Sequence, residues 1–212
     1  MALRTLLQVT GLALGIACLN TPYAFAQAPG DCGSLENGYG PFDYRTATPA
    51  QKHIVESYHF TQPVEALQQG KTTTLGGDID YTLRAFPNHR RALLAMMRLG
   101  QREKTTKPKG AQWTVACYIE RAIQFQPDDP AVRELRGIYY SIQRKYGDAI
   151  ADFKSVIDAE PNNANAHYNL GLAYFEVGNY ADARDEAQAA KKLGFPLPGL
   201  EKKLKAKGQW SD

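Results

Sequence analysis

Cysteine is scarce in this 212-residue chain, with three copies, and so are tryptophan, with two, and methionine, with three. A disulfide-built mini-protein is therefore excluded. No C-x-x-C pair occurs, no two of the four histidines stand four apart, and no Gly-Lys-Ser loop follows a strand-like run. Thioredoxin-type redox chemistry, a helical zinc site and a nucleotide-phosphate loop thus lose their usual signatures. Charge of one sign is also missing. With 25 basic and 22 acidic residues the net charge is +3, too balanced for a dedicated nucleic-acid binder. Apolar residues make up 43%, which is too many for a disordered chain.

No apolar run is long enough to span a bilayer, which takes roughly 20 residues. The longest largely apolar stretch, Thr5–Leu19, follows Arg4, carries no charge and is ended by Asn20, Thr21 and Pro22. Ala24-Phe25-Ala26 then offers small residues at both positions of a cleavage site. This is the layout of a secretory signal over residues 1–26, with a membrane anchor and lipidation at Cys18 as alternatives. Cleavage after Ala26 removes Cys18 and leaves Cys32 and Cys117. In an exported chain that even pair is expected to form a disulfide, the alternative being two free thiols. The bond would close a loop of about 85 residues.

The second half repeats itself. A shift of 34 superposes Pro127 on Pro161, Gly137 on Gly171, Tyr140 on Tyr174, Tyr146 on Tyr180, Asp148 on Asp182 and Ala149 on Ala183. Each unit reads as two amphipathic helices: 130–143 with 146–159, then 163–176 with 180–193. Proline ends each unit, and glycine and alanine face each other where helix A and helix B of one unit must approach. Pro87 and Pro127 lie 40 apart, so an upstream unit (89–102 and 113–125) carries a six-residue insertion within 103–110, rich in Lys, Thr, Pro and Gly. Further upstream, Asp78 is expected to cap a helix over 79–86 and Thr61 one over 62–69. Residues 200–206 read as a Lys-rich capping helix. Residues 27–60, with Gly30, Gly33, Gly38, Gly40 and Pro41, read as an extended arm docked by its aromatics and tied down by Cys32.

Leu170-Gly171-x-x-Tyr174 with Ala183, and Gly137-x-x-Tyr140 with Ala149-x-x-x-Phe153 and Pro161, resemble the tetratricopeptide repeat. The chain departs from the family pattern at Arg133, His167, Arg136 and Ala187. The resemblance implies an all-α solenoid of helical hairpins over 61–212. It also implies a concave face of A helices that binds a protein or peptide partner without catalysis or cofactor. At positions that usually face this groove stand Asn165, Tyr168, Asn169, Leu172 and Phe175 in one unit. In the unit before stand Ala131, Glu134, Leu135, Ile138 and Ser141.

The signal layout suggests a bacterial envelope protein, periplasmic and without a stable membrane span after cleavage. An alternative reading places a metal or enzymatic accessory site at His53, His59, Asp78 and Asp80. A third is a self-assembling structural subunit. Arg84, His89, Arg90, Arg91 and Arg98 form a basic cluster, read as a solvated helix face.

Overall fold

One turn sequence, used three times, sets the register of the molecule. Phe86-Pro87-Asn88-His89, Gln126-Pro127-Asp128-Asp129 and Glu160-Pro161-Asn162-Asn163 each end one helix and start the next. Phe86, Gln126 and Glu160 share one C-cap geometry, with φ near −135° and ψ near 80°. The side chains of His89, Asp129 and Asn163 then accept a backbone N–H from the first turn that follows. Such caps satisfy donors that the helix itself leaves open.

The computed structural model describes residues 32–210. The signal segment 1–26, Cys18 and the start of the arm lie outside the described residues. Among the described residues there are ten helices and no strand: α1 (Pro49–His59), α2 (Gln62–Glu65), α3 (Leu75–Ala85), α4 (Arg90–Glu103), α5 (Val115–Phe125), α6 (Pro130–Ile142), α7 (Tyr146–Ala159), α8 (Ala164–Glu176), α9 (Tyr180–Lys192) and α10 (Gly199–Ala206). Pairs α4/α5, α6/α7 and α8/α9 are the expected hairpins, neighbours pack in sequence, and α10 closes the row against α8 and α9.

Close approach at two glycines fixes the hairpins. A Cβ on Gly137 would stand 2.6 Å from the ring of Phe153 on α7, the B helix of the same unit. The position related by 34, Gly171, is instead approached by Leu200 of α10, at 2.6 Å. The family's aromatic is replaced by Ala187 here, and Leu200, fully buried with Leu204, enters from the capping helix to occupy that side of the core. The short last helix therefore completes the apolar packing of the final repeat as well as covering it.

The other three departures from the family pattern have a shared cause. Arg136 donates two hydrogen bonds to Asp152 on α7, at 2.8 and 2.7 Å, and Arg133 lies 3.8 Å from the same carboxylate. One repeat later His167 meets Glu186 at 2.6 Å. Asp152 and Glu186 are themselves 34 apart. Each unit thus joins helix A to helix B by an ion pair or charge-assisted hydrogen bond where tryptophan or leucine packing is usual.

Upstream, three expectations are corrected. Asp78 is not a cap: α3 begins at Leu75, capped by Thr74, and Asp78 lies buried inside its first turns. The helix after Thr61 ends at Glu65 rather than near 69, and Leu67 takes a left-handed φ of 57°. Third, residues 49–59 of the arm are helical, not extended. Thr48 and Gln51 form a reciprocal capping box with Pro49 in the first turn, a combination that favours helix initiation.

Residues 32–44 do run as irregular chain along the helices. Cys32 and Cys117 are disulfide-bonded, with their Cα atoms 5.2 Å apart. Beside the bond, Arg121 of α5 donates to the carbonyls of Cys32, Gly33 and Ser34 at 2.7–3.0 Å and lies 3.8 Å over the Trp113 ring. Tyr39, Phe42 and Tyr44 pack around Phe86, Val55 and Ala85. Gly40, at φ 94°, lies so close to the Ala85 carbonyl that a Cβ would fall 2.5 Å from its oxygen.

Candidate partner-binding groove

Helices α6 and α8 run side by side, and their shared open face carries a groove of about 340 Å³. Ile138, Ser141 and Ile142 form one wall and Asn169, Leu172 and Glu176 the other, with Phe153 and Ala173 between them and Lys203 of α10 at one end. The spacing explains the walls. Residues 138, 141 and 142 share one face of a helix, as do 169, 172 and 176. Lys203 Nζ donates to Glu176 at 2.9 Å and lies 5.1 Å over the ring of Phe175. This exposed pair contributes little stability, but it sets opposite charges beside an apolar channel.

Of the residues expected to face a partner, Ile138, Ser141, Asn169 and Leu172 are brought together in this groove. Phe175 sits beside it, half-buried, against Tyr180 at 5.3 Å. Asn165 is exposed at the start of α8, where it lines a separate shallow depression with the 160–164 turn. Tyr168 is engaged within the chain: its ring stacks on Phe195 at 4.1 Å, under the segment that leads into α10.

Glu134 requires a correction too. It is 2% exposed, in the seam between α6 and α4, and accepts from Arg90 at 3.1 Å. Burial raises its pKa above the ordinary carboxylate value, against the pull of Arg90. Leu135 is core, 1% exposed. Reading the sequence for the groove missed Ile142, Glu176 and Lys203. The first two carried a signal, being 34 apart and each four residues beyond an expected groove position; Lys203 carried none.

Across α4 the corresponding face is occupied. Arg91 is ion-paired to Glu65 of α2, Arg102 donates to the Leu67 carbonyl, and Phe60 and Val64 join the core around Leu93 and Met96. The basic cluster is thereby resolved into separate partners. Arg84 pairs with Asp80, Arg90 with Glu134 and Arg91 with Glu65, while Arg98 remains exposed.

His89 is buried, so it is no part of a solvated face. Its Nδ1 accepts the Ala92 N–H at 3.2 Å, leaving Nε2–H to donate to Glu56 at 3.2 Å. The ring is therefore neutral, which agrees with burial lowering its pKa. Glu56 also accepts the Tyr44 hydroxyl at 2.6 Å. The hydrogen bond from His89, then that from Tyr44, bring the Glu56 pKa down to about 2 in spite of burial.

The alternative site comes apart. His59 Nδ1 and Asp78 do meet, at 3.1 Å, with Thr72 Oγ1 donating to the same carboxylate and the His59 ring stacked on Tyr81. Burial pushes the Asp78 pKa up, but bonds from Thr72, His59 and the Lys71 and Thr72 amides outweigh it and hold the carboxyl low. These contacts clasp the 70–74 loop onto α3. His53 bonds Ser57 on its own helix, and Asp80 is engaged by Tyr118, Arg84 and the Gln112 amide. Among the described residues no group of three or more His, Cys, Asp or Glu side chains could hold a metal ion.

Among the described residues no helix is long and apolar enough to cross a membrane. A comparison with curated proteins finds no match. The model of the tetratricopeptide repeat family does match, over residues 135–194. That span contains the greater part of α6, all of α7 and α8, and α9 with its C-cap, the two hairpins whose A helices frame the groove. The repeat of 34, the paired helices and this match together make residues 135–194 a tetratricopeptide repeat region.

Proposed function

We propose that this chain is a non-catalytic adaptor of the bacterial envelope, holding a protein or peptide along the face formed by α6 and α8. Tetratricopeptide repeats suggest a protein-interaction scaffold, although a fold alone does not imply a function. The observation that carries the reading is the groove itself. It joins apolar side chains (Ile138, Ile142, Leu172) to an amide, Asn169, that can both donate to and accept from a peptide backbone. Asn165 and Phe175 flank it as further contacts, while Glu134 and Tyr168 hold the framework around it.

Two observations support an envelope location: the secretory layout of residues 1–26 and the Cys32–Cys117 bond, since disulfides persist in oxidising compartments. Thiol titration of the exported protein under non-reducing, denaturing conditions is expected to find no free thiol at either position, and two free thiols would refute this part. For the groove, the test is retention of a defined partner from envelope extract on the immobilised chain. Retention is expected to fall at least about tenfold with Asn169→Ala plus Leu172→Ala. Unchanged retention would remove the groove assignment.

A further inference from the structure

A second cavity adjoins the α6/α8 groove, with which it shares Ile142, on the edge where A helices turn into B helices. It is about 250 Å³ and is formed by Met97 and Gly100 of α4, Val115 of α5, Tyr139 and Ile142 of α6, and the 104–106 segment. One wall is the insertion that lengthens the first clear repeat to 40 residues, so the next repeat has no counterpart.

This wall is fixed in place. Thr105 N donates to the Gly100 carbonyl at 3.0 Å, Val115 N to Thr106 at 2.8 Å, and Lys109 N to Glu103 at 2.9 Å, while Pro108 is buried. Gly100 lets the loop and Val115 pack closely against α4, because a Cβ there would stand 2.9 Å from Val115 Cγ2 and 3.1 Å from the Thr105 carbonyl oxygen. A preformed site requires little ordering when a ligand enters.

The rim is basic. Lys104 lines the cavity, Lys107 follows on the same loop, and Arg144 and Lys145 follow directly on Gln143, another lining residue. All four are exposed, and none forms an ion pair among the described residues. The nearest acids in sequence are Glu103, held by the Lys109 amide, and Asp148 in the first turn of α7. Small-molecule pockets run to roughly 300–1,000 Å³, so this cavity suits one anchoring side chain better than a whole ligand.

We infer that this edge is a second docking site, for a segment of a partner protein that inserts one apolar side chain among Met97, Val115, Tyr139 and Ile142 and sets acidic neighbours against Lys104 and Arg144. An apolar anchor inside a charged rim divides the work: the anchor supplies affinity, and the rim supplies selectivity and association rate.

The test is selection of random displayed peptides on the full, oxidised chain, followed by titration of the enriched peptides by fluorescence anisotropy. Enriched sequences are expected to carry one Leu, Ile or aromatic residue flanked by Asp or Glu. Their affinity is expected to fall about tenfold with Lys104→Glu plus Arg144→Glu, and also on raising the salt. Both substitutions are at exposed positions, and an unchanged thermal melt establishes that the variant is folded. Asn169→Ala plus Leu172→Ala is expected to leave these peptides bound, which separates this site from the α6/α8 groove. Neutral or basic enriched sequences, or binding indifferent to the charge reversal, would overturn the inference. So would acidic peptides failing to bind while phosphatidylglycerol vesicles bind the chain and are lost on the same reversal, since the rim would then be a membrane contact.

Discussion

Replacing both Cys32 and Cys117 by serine isolates what the disulfide contributes. The bond joins residues 85 apart in sequence. In the chain-entropy model, closing a loop of that length removes about 15 cal/mol/K from the unfolded chain, which at 25 °C is about 4.5 kcal/mol. The native state has independent means of keeping the arm in place. Arg121 is bonded to three consecutive carbonyls, and Tyr39, Phe42 and Tyr44 remain packed around Phe86. The cost is therefore expected on the unfolded side. Urea unfolding followed by far-UV circular dichroism should show a loss of about 2–4.5 kcal/mol. The denaturant slope m should rise, because the freed chain exposes more surface on unfolding. The Trp113 fine structure at the long-wavelength end of the native near-UV spectrum, where a disulfide contributes little, should stay as it was. A loss below about 1 kcal/mol, far under the range for native disulfides, would refute the reasoning. So would a change in that tryptophan fine structure in the variant, since the staple would then be holding the arm down in the folded protein.

Other substitutions test other links. Gly137→Ala places a Cβ 2.6 Å from the buried Phe153 ring and should cost about 1–3 kcal/mol by overpacking. Gly147→Ala in the first turn of α7, with nothing within 4 Å, should be neutral or stabilising by up to about 1 kcal/mol; equal effects of the two in thermal melts would count against the packing account. Arg136→Met leaves the buried Asp152 with only Arg133, 3.8 Å away, and should cost about 2 kcal/mol or more by urea unfolding. Acid should destabilise the fold in two stages. His89 has its pKa lowered by burial from 6.5, so stability is full above that value and declines as pH falls below it. Glu56 is lowered from 4.5 to about 2, so its share is present above 4.5 and is lost between those values. Glu56→Gln should shrink the lower stage in a pH series of melts and deepen the upper one, because the Glu56 carboxylate raises the His89 pKa; an unaltered lower stage would reject the assignment.

Periodicity accounts for how much of the fold is legible in the sequence. Glycine, alanine, tyrosine and proline recurring at 34 place α6 to α9 within a residue of their observed ends, since each recurring residue answers a local steric demand. Cys32 and Cys117 are paired as the parity of cysteines in an exported chain suggests. Helix α1 was also written locally, in Thr48-Pro49-Ala50-Gln51, but was obscured by the glycines just before it. Asp78 misled because an acidic residue after two glycines resembles a cap, while the cap in use is Thr74. The groove was half legible. Position along an A helix selects Ile138, Asn169 and Leu172, yet the same rule selects Glu134 and Tyr168, which neighbouring elements have already covered.

What the sequence by itself determined is therefore local and repetitive: helix, turn, cap, and the small residues that let two helices approach. Those depend on neighbours within one turn or one repeat, and both are visible in the linear order. Only the tertiary structure decided which groove positions remain open. That outcome depends on contacts between units, where α2 lies over α4, Phe195 stacks on Tyr168 and Arg90 reaches Glu134. It also placed Leu200 opposite Gly171, because a gap left by Ala187 can be filled by any apolar side chain that folding brings near it.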